Sequence, residues 1–119
     1  MGKKKILVIS SWEDFKTVEL YLELDGHYSI EHAFDGQEGM EKFQDSHPRL
    51  VIMSYALPKI SGTEVLKRIR MVDEKIPIII FGTYAHSLEW IEKEFENIKI
   101  TRKPILKENF LSLVKQMTK

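Results

Sequence analysis

The stretch PRLVIMSYALPKISGTEVLKRIR, residues 48–70, contains one strand and one helix in close succession. Leu50–Ser54 is a short apolar run that ends in a hydroxyl, which is typical of a buried strand. Ser61-Gly62-Thr63-Glu64 then matches a capping box, the pattern that begins a helix. The apolar residues of that helix recur at helical spacing: Val65, Ile69 and Val72. This spacing predicts a helix with one face on the sheet.

The same alternation of strand and helix extends through the rest of the chain. Further β-branched runs lie at Ile6–Ile9, Tyr28–Ala33, Pro77–Phe81 and Ile98–Thr101. The other apolar stripes are Phe15, Val18 and Leu22; Met40 and Phe43; Tyr84, Leu88, Ile91 and Phe95; and Phe110, Leu113, Val114 and Met117. Ser11 and Asp35 are placed to cap the first and second helices. Because the connections are too short for antiparallel returns, five strands and five helices predict right-handed crossovers and a parallel sheet covered on both faces.

The composition favours a single domain over residues 1–119. Eighteen basic residues balance eighteen acidic ones, so no net field draws the chain toward nucleic acid. Cysteine is absent, which excludes disulfides and fits a reducing compartment. The longest apolar runs, such as Ile76–Phe81, are far shorter than the ~20 residues of a membrane span. We therefore expect a cytoplasmic domain that binds neither nucleic acid nor a membrane.

Neither a metal nor a cofactor is predicted. The histidines lie in different elements and lack metal-ligand spacing: His27, His32, His47 and His86. No glycine-rich phosphate loop follows the first strand, where SSWEDFKT, residues 10–17, stands instead. We expect the histidines to be ordinary surface or boundary residues.

A crevice is predicted at the carboxyl ends of the strands. In a flavodoxin-like α/β sandwich of strand order 2-1-3-4-5, ligands bind where the order reverses, between strands 1 and 3. The residues predicted to lie there are Ser10, Ser11, Ser54, Gly82 and Lys103. Thr83 would point to the opposite face, because side chains alternate along a strand. Trp12, next to Ser11, is predicted to pack at the mouth of the crevice and to cover it.

These residues and their surroundings resemble the receiver domain of two-component response regulators over essentially the whole chain. The resemblance rests on residues 48–70 and on further motifs: KKKILVIS, AFDGQEGMEKF, IPIIIFGT and RKP. In that family an aspartate after strand 3 accepts a phosphoryl group from a histidine kinase, and an acidic pair after strand 1 helps to hold Mg²⁺. A hydroxyl after strand 4 and a lysine before a proline complete the family's pocket.

The resemblance implies that most of these functional positions are changed here. It places Ser54 at the acceptor position, Ser10 and Ser11 at the acidic pair, and Gly82 at the hydroxyl position. Lys103 keeps its place before Pro104, in a bond that the resemblance implies is cis. Ile100 stands where the family has an aromatic residue that rotates on activation.

We interpret the chain as a degenerate receiver that is not an enzyme. Serine hydroxyls carry no charge for Mg²⁺, and a serine nucleophile needs a base to remove its proton. The three serines are expected to form a neutral polar plug, bonded to one another, to strand-end carbonyls or to Lys103. One alternative is phosphoryl transfer to Ser54 or to an acid such as Asp14 or Glu13. Another is a small-ligand sensor that uses the crevice.

A partner surface is predicted on the fourth helix, fifth strand and fifth helix. Trp90 falls opposite the apolar stripe of the fourth helix, so its indole should face outward. It is either a single exposed aromatic residue or a contact for a partner, since tryptophan is enriched in interface hot spots. Leu111, off the main stripe of the fifth helix, is predicted to extend this patch. The partner would be another protein or a second copy of the chain.

Overall fold

A computed structural model of the chain describes residues 2–83 and 85–119, without the side chains of Ala85 and His86. The first three strands and helices are β1 Lys4–Ile9, α1 Trp12–Asp25, β2 Tyr28–Ala33, α2 Gly36–Ser46, β3 Leu50–Ser54 and α3 Gly62–Val72. The remaining ones are β4 Ile78–Gly82, a 3-10 turn Ala85–Leu88, α4 Glu89–Glu94, β5 Ile98–Arg102 and α5 Lys107–Met117. No helix of the described part is long and apolar enough to cross a membrane.

The five strands form one parallel sheet of order β2-β1-β3-β4-β5, which confirms the predicted fold class and strand order. Strand β1 begins two residues earlier than predicted, because Lys4 and Lys5 pair with Tyr28 and Ser29 of β2. Because these two residues are polar, a search for apolar runs does not show that the strand begins with them. At the outer side of β2, Lys42 of α2 donates a hydrogen bond to the His32 carbonyl over 2.6 Å.

Alternating side chains of the strands build two apolar layers. Helices α2, α3 and α4 cover one face of the sheet, where the β3 residues Val51 and Met53 lie. Helices α1 and α5 cover the other, which receives Leu50 and Ile52. All four of these β3 side chains are fully buried. Strand β3 is therefore apolar throughout because both of its faces are covered.

Side-chain caps fix where three helices begin, at the predicted positions. The backbone N–H of Asp14 donates to Ser11 Oγ over 3.3 Å, that of Glu38 to Asp35 Oδ1 over 2.8 Å, and that of Glu64 to Ser61 Oγ over 3.2 Å. Each bond satisfies one of the unpaired N–H groups of a first helical turn. The Glu64 carboxylate pairs with Arg68 instead of completing the capping box.

The predicted core stripe of α3 is wrong at its last residue. Val65 and Ile69 are fully buried, together with Leu66, whereas Val72 is 64% exposed. Val72 ends α3 and lines an open groove of about 310 Å³ between the last turns of α2 and α3. Helical spacing gives the direction of a side chain, but it does not say where the covering layer stops.

Candidate functional site

Three of the predicted site residues meet at the carboxyl ends of the strands. Ser54, Gly82 and Lys103 line one crevice of about 260 Å³. Its other lining residues are Tyr55, Ala56, Thr83, Ser87 and Leu88. Parallel strands bring their carboxyl ends to the same edge, so residues distant in sequence gather there.

The two serines after β1 are used for local hydrogen bonds. Ser10 is fully buried, and its hydroxyl donates to the Ser11 carbonyl over 2.9 Å. Ser11 Oγ caps α1. The Ser54 hydroxyl, 6% exposed, points to the Ala56 carbonyl at 3.5 Å. Of the three predicted arrangements, the one that uses nearby carbonyls is the one adopted by Ser10 and Ser54.

The lysine of the crevice is neutralised by a carboxylate from α1. Lys103 Nζ donates to Asp14 Oδ2 over 2.7 Å, and the two side chains retain 34% and 22% of their exposure. The ammonium also lies 5.4 Å from the centre of the Phe81 ring. Sequence reasoning names Asp14 only as an alternative acceptor and misses this pair. A signal was present, because the first turn of a helix after β1 stands over the same sheet edge as the end of β5.

An apolar side chain fills the space beside Gly82. A Cβ added to Gly82 would lie 3.2 Å from Leu88 Cδ1 and 3.7 Å from Tyr55 Cβ. Leu88 is itself buried. A side chain at position 82 therefore needs Leu88 to shift by a few tenths of an ångström.

The prediction for Thr83 is wrong. Thr83 lines the crevice with Gly82, although alternation along a strand would turn it away. Strand β4 ends at Gly82 and Thr83 lies in a turn, where the alternation of side chains no longer applies.

Trp12 has the packing role predicted for it, but it packs beside β1 and β2 and does not line the crevice. It stacks on Phe34 with 6.1 Å between ring centres and contacts Phe15 and His32 at 5.6 and 6.0 Å. Trp12 and Phe34 are about half exposed, which leaves an aromatic surface over the ends of β1 and β2.

His32 is more constrained than an ordinary boundary residue. Its ring stacks on Phe15 with 4.1 Å between centres, and Nε2 lies 2.8 Å from the Ser10 carbonyl, which it can only donate to. Nδ1 is buried and has no hydrogen-bond partner among the residues that the structure describes. Burial lowers the pKa of His32 below its ordinary value, against the opposing effect of the bond to Ser10. Sequence spacing gives no sign of this environment.

The residues predicted to form the interaction surface do not all lie on the same side of α5. Trp90 is 40% exposed, as predicted. A groove of about 280 Å³ between β5 and α5 is lined by Lys99, Ile100, Thr101, Asn109, Ser112, Leu113 and Gln116. At 100° per residue Leu111 lies on the opposite flank of α5 from this lining, and it packs partly buried against the core between α1 and α5. Leu111 therefore does not extend the patch, whereas Leu113 lines the groove.

Ile100, the switch position, lies partly buried in the edge strand β5. Its backbone N–H donates to Glu92 Oε2 of α4 over 2.9 Å. The side chain at this position is aliphatic, and the backbone beside it is held by α4. Tyr84, predicted to belong to the apolar stripe of α4, lies outside the described residues.

The residues at the crevice do not fit Mg²⁺. This ion prefers oxygen ligands with one or two carboxylates among them. The side chains at the predicted positions are the hydroxyls of Ser10, Ser11 and Ser54, and the nearby Asp14 is already bonded to Lys103. Within the described residues, no group of three or more histidines and acidic residues is placed to hold a metal ion.

The fold and these residues agree with a comparison to known protein families. Residues 7–114 match the profile of the response regulator receiver domain. The chain belongs to the response regulator receiver domain family. Its Lys103-Pro104 bond is cis, as the resemblance implies.

Comparison with individual relatives and solved structures shows which proteins this receiver domain is similar to. It is 37% identical over 78 residues to the alkaline phosphatase synthesis transcriptional regulatory protein PhoP of Bacillus subtilis, covering 65% of the chain and 32% of PhoP. It is 33% identical over 79 residues to the response regulator ArlR of Staphylococcus aureus, covering 64% and 34%. The chain thus spans about a third of the length of these relatives. The chemotaxis response regulator CheY4 of Vibrio cholerae has the same fold, with a TM-score of 0.86, 24% identity, and coverage of 97% and 98%.

Proposed function

We propose that this receiver domain works in signal transduction without aspartyl phosphorylation, as a non-enzymatic module that binds a protein partner. The observation that supports this most is the state of the crevice lysine. Lys103 is paired with Asp14, while a serine occupies the acceptor position. A receiver that accepts a phosphoryl group requires the lysine ammonium to stabilise the negative charge on the oxygens of that group.

The chemistry of Ser54 also supports the proposal. A serine hydroxyl becomes a nucleophile when a neighbouring base removes its proton. The Ser54 hydroxyl points to a backbone carbonyl at 3.5 Å, which is not a base. Because the described residues at the crevice do not fit Mg²⁺, charge on a transferring phosphoryl group would also lack a metal counter-ion.

The surface around Trp90 is the proposed docking region. An indole that is 40% exposed provides a large contact area. The groove between β5 and α5 adds a depression formed by two further elements of the proposed surface, with Leu113 and Ile100 in its wall. The curated relatives named above are transcriptional or response regulators, so we propose a cytoplasmic signalling partner of that general kind.

Two titrations test the loss of phosphoryl control. The purified domain is titrated with Mg²⁺ and then with beryllofluoride while amide signals of Ser54, Gly82 and Lys103 are followed by NMR. The proposal expects no saturable shifts at millimolar Mg²⁺. Saturable shifts confined to these residues, or a mass gain of one phosphoryl group with a small phosphodonor, would overturn it.

A variant tests the docking surface. Trp90→Ala is expected to weaken partner binding or self-association at least tenfold, because an interface tryptophan carries ~2 kcal/mol or more. Met71→Ala is the matched control, since Met71 is 87% exposed on α3, which is not one of the three elements of the proposed surface. Equal effects of the two substitutions would count against the docking surface.

A further inference from the structure

We infer that the outer side of α1 is an interface on which α1 of a second copy of this chain packs antiparallel, separate from the docking region around Trp90. The fold leaves an apolar stripe uncovered on this side. Trp12, Leu20 and Leu24 are 52%, 56% and 62% exposed. They are spaced by multiples of four residues, so they line up along one side of the helix, with the aliphatic stem of Lys16 between them.

Phe34, the residue after β2, widens the stripe at the amino end of α1. Its ring stacks on Trp12 with 6.1 Å between centres, and it is 51% exposed. Two half-exposed aromatic side chains alone offer roughly 200 Å² of apolar surface. Monomeric proteins seldom expose contiguous apolar patches of more than a few hundred Å². An interface of this size is at the low end for specific complexes, so we expect a reversible dimer with a dissociation constant of about 1–100 μM.

The charges beside the stripe lie on one flank of α1. At 100° per residue Lys16, Glu19 and Glu23 share this flank. With Thr17 and Leu20 they line an open depression of about 400 Å³. Within the described part of the chain, none of the three charged groups takes part in an ion pair. They are therefore available for charges of opposite sign on a second molecule.

The stripe and its charged flank are complementary to themselves. Val18 lies midway between Trp12 and Leu24, about 9 Å from each along the helix axis. In an antiparallel pair with its twofold axis at the level of Val18, Trp12 of each copy faces Leu24 of the other. The same axis brings Lys16 of each copy opposite the acidic flank that contains Glu23 of the other, so every contact is made twice. This self-complementarity favours a second copy of the chain over an unrelated partner.

The first test follows the oligomeric state of the domain by sedimentation velocity from micromolar to millimolar concentration. Leu20→Glu should weaken the dimer at least tenfold, because it places an acid opposite the acidic flank of the other copy. The variant should still fold, since the core side of α1 is formed by Phe15, Val18 and Leu22. Met71→Glu makes the same change of charge at an exposed apolar residue of α3 and should leave the dimer intact. A wild type that stays monomeric at millimolar concentration, or equal association of the two variants, overturns the inference.

A mixture of two charge variants tests the antiparallel arrangement. Lys16→Glu and Glu19→Lys/Glu23→Lys should each lose the dimer, because like charges then meet at both contacts. When the two proteins are mixed, both contacts again join opposite charges, and a heterodimer should form. A mixture that associates no more strongly than either variant alone refutes the proposed pairing.

A third comparison separates this interface from the docking region. The effect of Leu20→Glu is measured again in the Trp90→Ala background, from which association through the docking region is removed. The same weakening there supports the inference. A Trp90→Ala domain that no longer associates overturns it and makes the docking region the interface between copies. Neither result bears on the proposed loss of aspartyl phosphorylation, which the Mg²⁺ and beryllofluoride titrations test separately.

Discussion

The Asp14–Lys103 pair should contribute more to stability than an ordinary surface ion pair. At 2.7 Å and an effective dielectric near 20, the attraction between two unit charges is about 6 kcal/mol. Partial solvation at 34% and 22% exposure and the ordering of a long side chain reduce the net value, and we expect a coupling of ~1–2 kcal/mol. The Glu64–Arg68 pair, one turn apart on α3 at 48% and 47% exposure, should give ~0.3–0.5 kcal/mol.

Two double-mutant cycles measure this difference. Urea unfolding of the wild type, Asp14→Asn, Lys103→Met and the double variant gives the coupling free energy of the first pair. Glu64→Gln, Arg68→Met and their double variant give that of the second. Salt should weaken the exposed α3 pair more. A coupling at Asp14–Lys103 no larger than that at Glu64–Arg68 would refute the reasoning from burial and distance.

Three further predictions concern stability. Because burial lowers the pKa of His32, the unfolded chain takes up a proton first, so stability should fall as the pH drops below ~6.5; His32→Gln should make the dependence of the urea midpoint on pH from 7 to 5 shallower, and an unchanged slope would contradict this. Gly62→Ala should destabilise the fold by more than ~2 kcal/mol in urea unfolding, because its Cβ would overlap the Tyr55 carbonyl; near-wild-type stability would mean that the loop yields. Ile69→Ala should cost ~2–5 kcal/mol, whereas Val72→Lys should change stability by less than ~0.5 kcal/mol in the same assay; similar losses would contradict the exposure of Val72.

The fold could be predicted because several local signals agree with one another. The strand Leu50–Ser54 and the cap at Ser61 lie where the sequence places them. Ser54, Gly82 and Lys103 lie in one crevice, as the sequence predicts, because parallel strands end at the same edge of a sheet. What the sequence does not predict is how far along a helix the buried face extends. At Val72 the helical spacing of apolar residues continues, but the side chain is exposed.

The details of the crevice could not be predicted, because they depend on side chains that reach across elements. Asp14 lies 89 residues from Lys103 in sequence, and no spacing rule relates an acid on α1 to the end of β5. Leu88 comes close to Gly82 through a 3-10 turn whose path the apolar pattern does not specify. Trp12 joins an aromatic cluster with Phe34 because β2 lies next to β1, which residue periodicity alone does not reveal.

The helix side chains that bond to the two outer strands affect how copies of this domain behave when they are crowded or fused in tandem. Lys42 occupies the His32 carbonyl on one border of the sheet, and Glu92 occupies the Ile100 N–H on the other. A strand from a neighbouring molecule would have to displace these charged groups before its backbone could pair there. Pairing of edge strands between neighbouring copies should therefore be disfavoured at these two positions.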